Sequence, residues 1–298
     1  MRVFVTGATG FIGSAIVQEL LGAGHRVLGL ARSEAGATSL AAAGAEVHRG
    51  ALEDLESLRQ GVAASEGVIH TAFIHDFSNI AASGEVDKLA IEALGAALAG
   101  SSRPLVVTSA LGMLAQGGVR TEEDGPDLSP VAAHRLASDR AALSLASRDV
   151  RVSLVRLPPS VHGDGDHAFV PALIHTAREK GASAYIGDGR NRWPAVHRLD
   201  AAHLYRLALE KGTAGATFHG VADEGVPTRE IAEVIGRRLN VPVVSKSPEE
   251  AADHFTWLAR FFALDTPASS ARTQERLGWT PRQPGLLADL EQGRYFET

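Results

Sequence analysis

Short aliphatic runs alternate with longer stretches of helical spacing through the first two thirds of the chain. Residues 3–5 are apolar and are closed by Gly7; Ile16, Val17, Leu20 and Leu21 then recur at helical intervals until Gly24, which predicts a strand, a turn and a helix. Further strands are predicted at 26–30, 45–48, 67–71, 104–108 and 151–156, with helical stretches at 57–63, 86–99 and 131–147 between them. This alternation implies an α/β fold, a doubly wound parallel sheet covered by helices on both faces and joined by right-handed crossovers.

The rhythm breaks after Arg156. Pro158-Pro159, Gly163-Asp164-Gly165-Asp166 and Gly187-Asp188-Gly189 are turn sequences. A strand at 216–221 is expected to extend the sheet, and residues 229–239 have the spacing of an amphipathic helix. Two parts are therefore expected: a domain at 1–157, and a mixed segment at 158–298 that completes the sheet and builds a smaller lobe.

Composition narrows the class. A chain of 298 residues is long enough for a sizeable core, and the absence of cysteine removes disulfides, thiol nucleophiles and Cys-type zinc sites together. With 29 Lys and Arg against 35 Asp and Glu, the net charge of −6 offers no basic field for nucleic acid or an anionic membrane. The first apolar run is too short for a signal peptide, and no run approaches the ~20 residues of a spanning helix, so a cytoplasmic protein is expected.

Directly after the first strand comes Thr6-Gly7-Ala8-Thr9-Gly10-Phe11-Ile12-Gly13, glycines three residues apart that open into a helix. Such a loop needs one glycine to turn the strand, one to let backbone N–H groups approach a diphosphate, and one to let helix and strand close up. A dinucleotide fold that prefers NAD places an acid at the end of its second strand, on the ribose 2′-hydroxyl. This chain has Leu30-Ala31-Arg32-Ser33 there. A guanidinium grips a 2′-phosphate bidentately and Ser33 adds a hydroxyl, so NADP(H) is expected in preference to NAD(H).

That loop, the strand ending Val106-Val107-Thr108-Ser109, the segment Arg156-Leu157-Pro158-Pro159-Ser160-Val161-His162-Gly163, the run Val196-His197-Arg198-Leu199-Asp200-Ala201-Ala202, and Leu277-Gly278-Trp279-Thr280-Pro281 near the end resemble the extended and atypical short-chain dehydrogenase/reductases, the NAD-dependent epimerase/dehydratase group. The resemblance implies a Rossmann domain with a small substrate lobe. It further implies that Leu52 lies at the adenine, that Thr71, Ala72 and Phe73 lie along the cofactor, and that Thr108 and Pro158 lie near its ribose and nicotinamide. A homodimer through the helices at 86–99 and 131–147 is also implied. The group's usual acid after the third strand is replaced by Ala51.

The group's catalytic pattern is a Ser or Thr at the end of strand five with a Tyr followed four residues later by Lys. Ser109 matches the first member. The tyrosines are Tyr185, Tyr205 and Tyr295, and Gly189 and Leu209 stand four residues after the first two, so no Tyr-x-x-x-Lys pair exists. In the helix where the pair belongs, His134 falls at the tyrosine position and Ser138 at the lysine position; Arg135 and Arg140 do not share His134's face. The expected activity is hydride transfer to or from a small carbonyl or alcohol, with Ser109 orienting the oxygen and His134 as acid/base. His75 and His197 are candidates to line the substrate pocket, and no bound metal is expected. Three alternatives remain open: an oxidoreductase whose proton comes from elsewhere, a nucleotide-sugar epimerase or dehydratase, and an NADP-binding regulator without chemistry.

Overall fold

The structure is a computed structural model that describes residues 1–76, 79–114, 117–125 and 133–297, the side chains of residues 113, 133 and 134 excepted. The first part of the chain runs β1 (Arg2–Thr6), α1 (Phe11–Gly22), β2 (Arg26–Ala31), α2 (Glu34–Ala42), β3 (Glu46–Arg49), α3 (Leu55–Ala63), β4 (Gly67–His70), α4 (Ile80–Leu98), β5 (Pro104–Ala110), α5 (Ala133–Ser144) and β6 (Arg151–Leu157). Then follow β7 (Ser160–His162), α6 (Phe169–Lys180), β8 (Ser183–Ile186), β9 (Arg192–His197), α7 (Arg198–Lys211), β10 (Ala216–His219), β11 (Asp223–Pro227), α8 (Thr228–Leu239) and β12 (Val243–Lys246). Four helices end the chain: α9 (Pro248–Phe255), α10 (Ala259–Phe262), α11 (Ala271–Leu277) and α12 (Leu286–Gln292).

Among the described residues, seven parallel strands form one sheet in the order β10-β6-β5-β4-β1-β2-β3. Alternation along each strand sends successive side chains to opposite faces. Val3 and Val5 join Ile16 and Leu20 of α1, Leu40 of α2 and Leu204 of α7 on one face. Phe4 joins Leu58 of α3, Leu94 of α4 and Ala142 of α5 on the other. This is the expected Rossmann architecture, with α7 and β10 supplied by the chain beyond residue 158. Connections from β1 wind toward β3 and those from β4 wind the other way, so the order reverses between β1 and β4. In such sheets ligands bind at this reversal, beyond the carboxyl ends of the strands.

The remaining elements form a smaller lobe on their own core, in which Trp193, Ile231, Phe255, Phe262 and Leu286 are buried together. Its strands pair as β11-β9-β7 and β12-β8. Trp279 ties the end of the chain to α7: its indole N–H donates to Asp200 O at 3.0 Å, and the Asp200 carboxylate accepts from the backbone N–H of Arg282 and Gln283. No helix among the described residues is long and apolar enough to cross a membrane.

Candidate functional site

The glycine loop lies where the strand order reverses. Gly7 has φ +69°, and a Cβ there would stand 2.6 Å from Thr71 Oγ1 and 2.7 Å from Ala72 N, so the turn after β1 is pressed against the segment after β4. A Cβ on Gly13 would stand 2.0 Å from Gly7 O, which is why α1 can start so close to β1. At Gly10 the only neighbour of an added Cβ within 4 Å among the described residues would be Gly7 O, so that side of the loop is open to them. The first helical hydrogen bond runs from Ser14 N to Gly10 O, which leaves the Phe11, Ile12 and Gly13 N–H groups without helical acceptors. An open cradle edged by backbone donors at a helix N-terminus fits a diphosphate.

Thr9 connects this loop to the first turn of α2, its methyl lying 3.3 Å from where a Cβ on Gly36 would be. Ser33 caps α2 by accepting from Gly36 N at 3.1 Å, and its own hydroxyl hydrogen stays available to donate. Arg32 is exposed and makes no hydrogen bond or ion pair among the described residues, while the neighbouring acid Glu34 is paired with Arg49. A free guanidinium and a free hydroxyl therefore face solvent beside the cradle, as a 2′-phosphate would require. Leu52 is 8% exposed and packs in the core cluster that also holds Leu30 and Leu58.

A buried polar chain sets the ends of β1, β4 and β5. Thr6 and His70 are in register, with Thr6 Oγ1 2.8 Å from His70 Nδ1, and His70 Nε2 is 3.0 Å from Asp87 Oδ1 of α4. A carboxylate only accepts, so Nε2 carries the hydrogen, and Thr6 Oγ1 also receives the Ala72 N–H at 3.3 Å. Arg135 of α5 donates to Asp87 Oδ2 at 3.4 Å and to Thr108 O at 3.0 Å, and its guanidinium lies 4.3 Å over the Phe73 ring. Burial alone would raise the Asp87 pKa, but the His70 bond and the Arg135 charge overcome it and hold the carboxyl below its usual value. Thr108 Oγ1 donates to His70 O at 2.8 Å and lies 2.7 Å from the hydroxyl of the fully buried Tyr205, whose pKa is raised by that burial. Thr71 Oγ1 donates to Thr6 O at 2.8 Å, and Phe73 meets His75 edge-to-face with centroids 5.1 Å apart. Crowding by neighbouring chain and the Arg135 charge hold the His75 imidazole below its usual pKa.

Ser109 is buried, and its hydroxyl donates to Asp139 Oδ2 of α5 at 2.8 Å. Burial pushes the Asp139 carboxyl above its usual pKa, and the other oxygen has no hydrogen-bond partner among the described residues. Ser138, one residue earlier, is buried as well. His134 stands in the first turn of α5, and its side chain lies outside the described residues. Pro158 is buried immediately after β6. His197 caps α7, its Nδ1 accepting from Leu199 N at 3.2 Å, and stacks edge-on against His162 at 5.4 Å; burial and the His162 charge lower its pKa. His162 in turn is held by Asp289 at 2.7 Å.

Helical periodicity had not pointed to Arg135, because its side chain is long enough to carry a charge away from the face its Cα occupies. Asp87, Asp139 and Tyr205 had no signal in the sequence, since each depends on which helix crosses which strand.

The sequence model of the NAD dependent epimerase/dehydratase family matches residues 3–220. An uncharacterized protein of Schizosaccharomyces pombe is 53% identical over 297 residues, covering 99% of this chain and 100% of the relative. The 2-alkyl-3-oxoalkanoate reductase of Stenotrophomonas maltophilia is 28% identical over 264 residues, 83% of this chain and 78% of that one. A dTDP-glucose 4,6-dehydratase of Streptomyces venezuelae, solved with NAD, shares the fold with a TM-score of 0.81 at 20% identity, over 99% of this chain and 97% of that one. A glycine cradle at the reversal of strand order is thus matched by a family model that runs through the whole large sheet, and the chain belongs to the NAD dependent epimerase/dehydratase family.

Proposed function

We propose that the protein is an NADP(H)-dependent oxidoreductase that passes a hydride to or from a small carbonyl or alcohol. The observation that carries the reading is the Arg32 guanidinium, without a partner among the described residues, beside Ser33 at the end of β2, next to an open diphosphate cradle and with no acid in the position that would favour NAD. When bound, a nicotinamide dinucleotide supplies or accepts the hydride. Phe11, Ile12 and Gly13 N–H groups would hold its diphosphate, Arg32 and Ser33 its 2′-phosphate, and the Thr71-Ala72-Phe73 segment would lie along it. Leu52 borders the adenine end from within the core, and Thr108 and Pro158 back the ribose and nicotinamide.

Proton transfer to the substrate oxygen falls to His134, at the start of α5. Ser109 contributes by a different route from direct orientation of the carbonyl, because its hydrogen is committed to Asp139. That bond pins α5 onto β5 and fixes where His134 starts. Arg135 restores a positive charge to the crevice wall through Phe73 and Thr108 O, the role of position rather than of contact. His75 and His197 border the substrate space. The working unit is a homodimer joined through α4 and α5.

The test mixes purified protein with NADPH or NADH and a panel of aldehydes, ketones and imines, and follows the nicotinamide absorbance. Turnover with NADPH at a higher kcat/KM than with NADH is expected for at least one class. Tight nucleotide binding without any turnover would replace the enzyme reading with a nucleotide-dependent binding protein.

A further inference from the structure

Helix α7 of the later chain runs beside α1 in the same direction. Arg198 meets Phe11 at their starts, Arg206 and His203 bond Glu19 midway at 2.7 and 2.9 Å, and Glu210 meets His25 at their ends at 2.9 Å. Two parallel neighbouring helices bring like dipole ends together, so both positive ends point to the edge of the sheet that carries the glycine loop. At that edge the Arg198 guanidinium lies 4.9 Å over the Phe11 ring, and His167 meets the same ring edge-on at 5.9 Å. One Arg198 nitrogen is fixed by Asp164 O at 2.7 Å, which leaves most of its five N–H donors unassigned. Among the described residues Arg198 forms no ion pair. Of the two acids on the same loop, Asp164 meets Arg198 through its backbone carbonyl, and Asp166 is turned inward, where it accepts from Ala168 N at 2.8 Å and lies 3.2 Å from the Tyr295 hydroxyl. Positive charge is therefore gathered on the side chain of the residue whose own N–H begins the cradle, with no carboxylate paired to Arg198 among the described residues.

The geometry points to Arg198 as a cofactor-binding residue: it closes over the diphosphate of the dinucleotide from the smaller-lobe side, opposite the N–H groups of α1. This inference rests on the dinucleotide reading of the cradle. The arrangement is preorganised, since the carbonyl of Asp164 holds the guanidinium in its plane and Phe11 supports one of its faces. Arg198 and Arg32 then serve different phosphates, one in every nicotinamide dinucleotide and one in NADP(H) alone.

Binding of NADPH, measured by fluorescence titration, with ADP-ribose and adenosine 2′-monophosphate as competitors, separates the two arginines without any turnover. Arg198→Met keeps an apolar stem on Phe11 and removes the charge. It is expected to weaken NADPH and ADP-ribose about tenfold, the scale of a charge-assisted hydrogen bond, and to leave adenosine 2′-monophosphate unchanged. Arg32→Ala should do the reverse, weakening NADPH and adenosine 2′-monophosphate and sparing ADP-ribose. Arg198→Gln supplies the same comparison if the methionine variant melts early by circular dichroism. ADP-ribose affinity within twofold of wild type in a folded Arg198 variant would overturn the assignment alone, whereas a wild-type protein that binds none of the three ligands would overturn the cofactor reading with it.

Discussion

Arg135 carries charge to a place that its position on α5 does not face. A lysine four residues beyond the proton donor is what the group's helix normally offers; here Ser138 fills that position and is buried, and the cation stands three residues earlier, clamped between Asp87 and Thr108 O beneath Phe73. Such a guanidinium cannot lose its proton, so it acts as a fixed field and not as a titrating partner. The proposed proton carrier on this helix is His134, since imidazole is the side chain that ordinarily titrates near neutrality. His134→Ala is expected to lower kcat by about 10²–10⁴ with NADPH affinity unchanged, and binding titrations beside steady-state rates separate the two. A variant that turns over at the wild-type rate moves the acid elsewhere. Residues whose role is imposed by the backbone, Gly7, Gly10 and Gly13, were legible in the sequence, as was Arg32 at a strand end. Ser109 was legible as a position but not in its bond, because Asp139 approaches only once α5 has docked on β5.

Strand β10 shows what an element at the sheet's edge must satisfy. It lies parallel to β6 and ends in His219, whose backbone N–H donates to Thr273 Oγ1 at 2.8 Å and whose Nδ1 lies 2.9 Å from Ser269 O. Nδ1 donates there, so Nε2, 3.5 Å from an Arg156 nitrogen, must stay unprotonated to accept. Burial, reinforced by the Arg156 charge, pushes the imidazole pKa from 6.5 down to about 4. Between those values the unfolded chain takes up a proton that the fold refuses, so stability is complete above pH 6.5 and falls as pH drops toward 4, by about 3 kcal/mol in total. Urea midpoints should slide downward across that window, and His219→Asn, which keeps a donor toward Ser269 without a titrating ring, should flatten the slope. An equal slope in both proteins would assign the acid sensitivity to other groups. The strand itself was legible, as were β1 to β6, because their aliphatic runs are local. The strands β7, β8, β9, β11 and β12 were not, since polar residues, glycine and proline interrupt their apolar positions and their pairing comes from partners far along the chain, and α2, with four alanines, a glycine and a threonine in nine residues, has little apolar period to detect.

For the whole molecule, composition gives a net charge of −6 while saying nothing of where charge resides. The net −6 is compatible with an anionic cofactor because the cations near the cradle, Arg32 and Arg198, have no carboxylate partners among the described residues, whereas most acids are spread over other surfaces. The change in turn chemistry after Arg156 was legible, but the return of α7 to lie along α1 follows only from three-dimensional packing. Self-association is the remaining property at this scale. Helices α4 and α5 cover one face of the sheet, and the outer side of α4 presents Ala81, Ala82 and Ala96 with Leu89, which is 40% exposed, and with Glu85 and Glu92 between them. Small side chains let two helix pairs approach closely around a two-fold axis, and the nearby Lys88 is already paired with Glu85 within its own chain. In a symmetric interface each residue near the axis meets its own copy, so Leu89→Arg sets two guanidinium groups against each other where two leucines would pack. Because Leu89 is exposed in the single chain, the exchange should leave the fold and melting temperature intact and shift the species in sedimentation velocity from two chains to one at micromolar concentration. A wild-type protein that already sediments as one chain at that concentration would rule out pairing through α4, and a variant that remains paired would place the interface on another face.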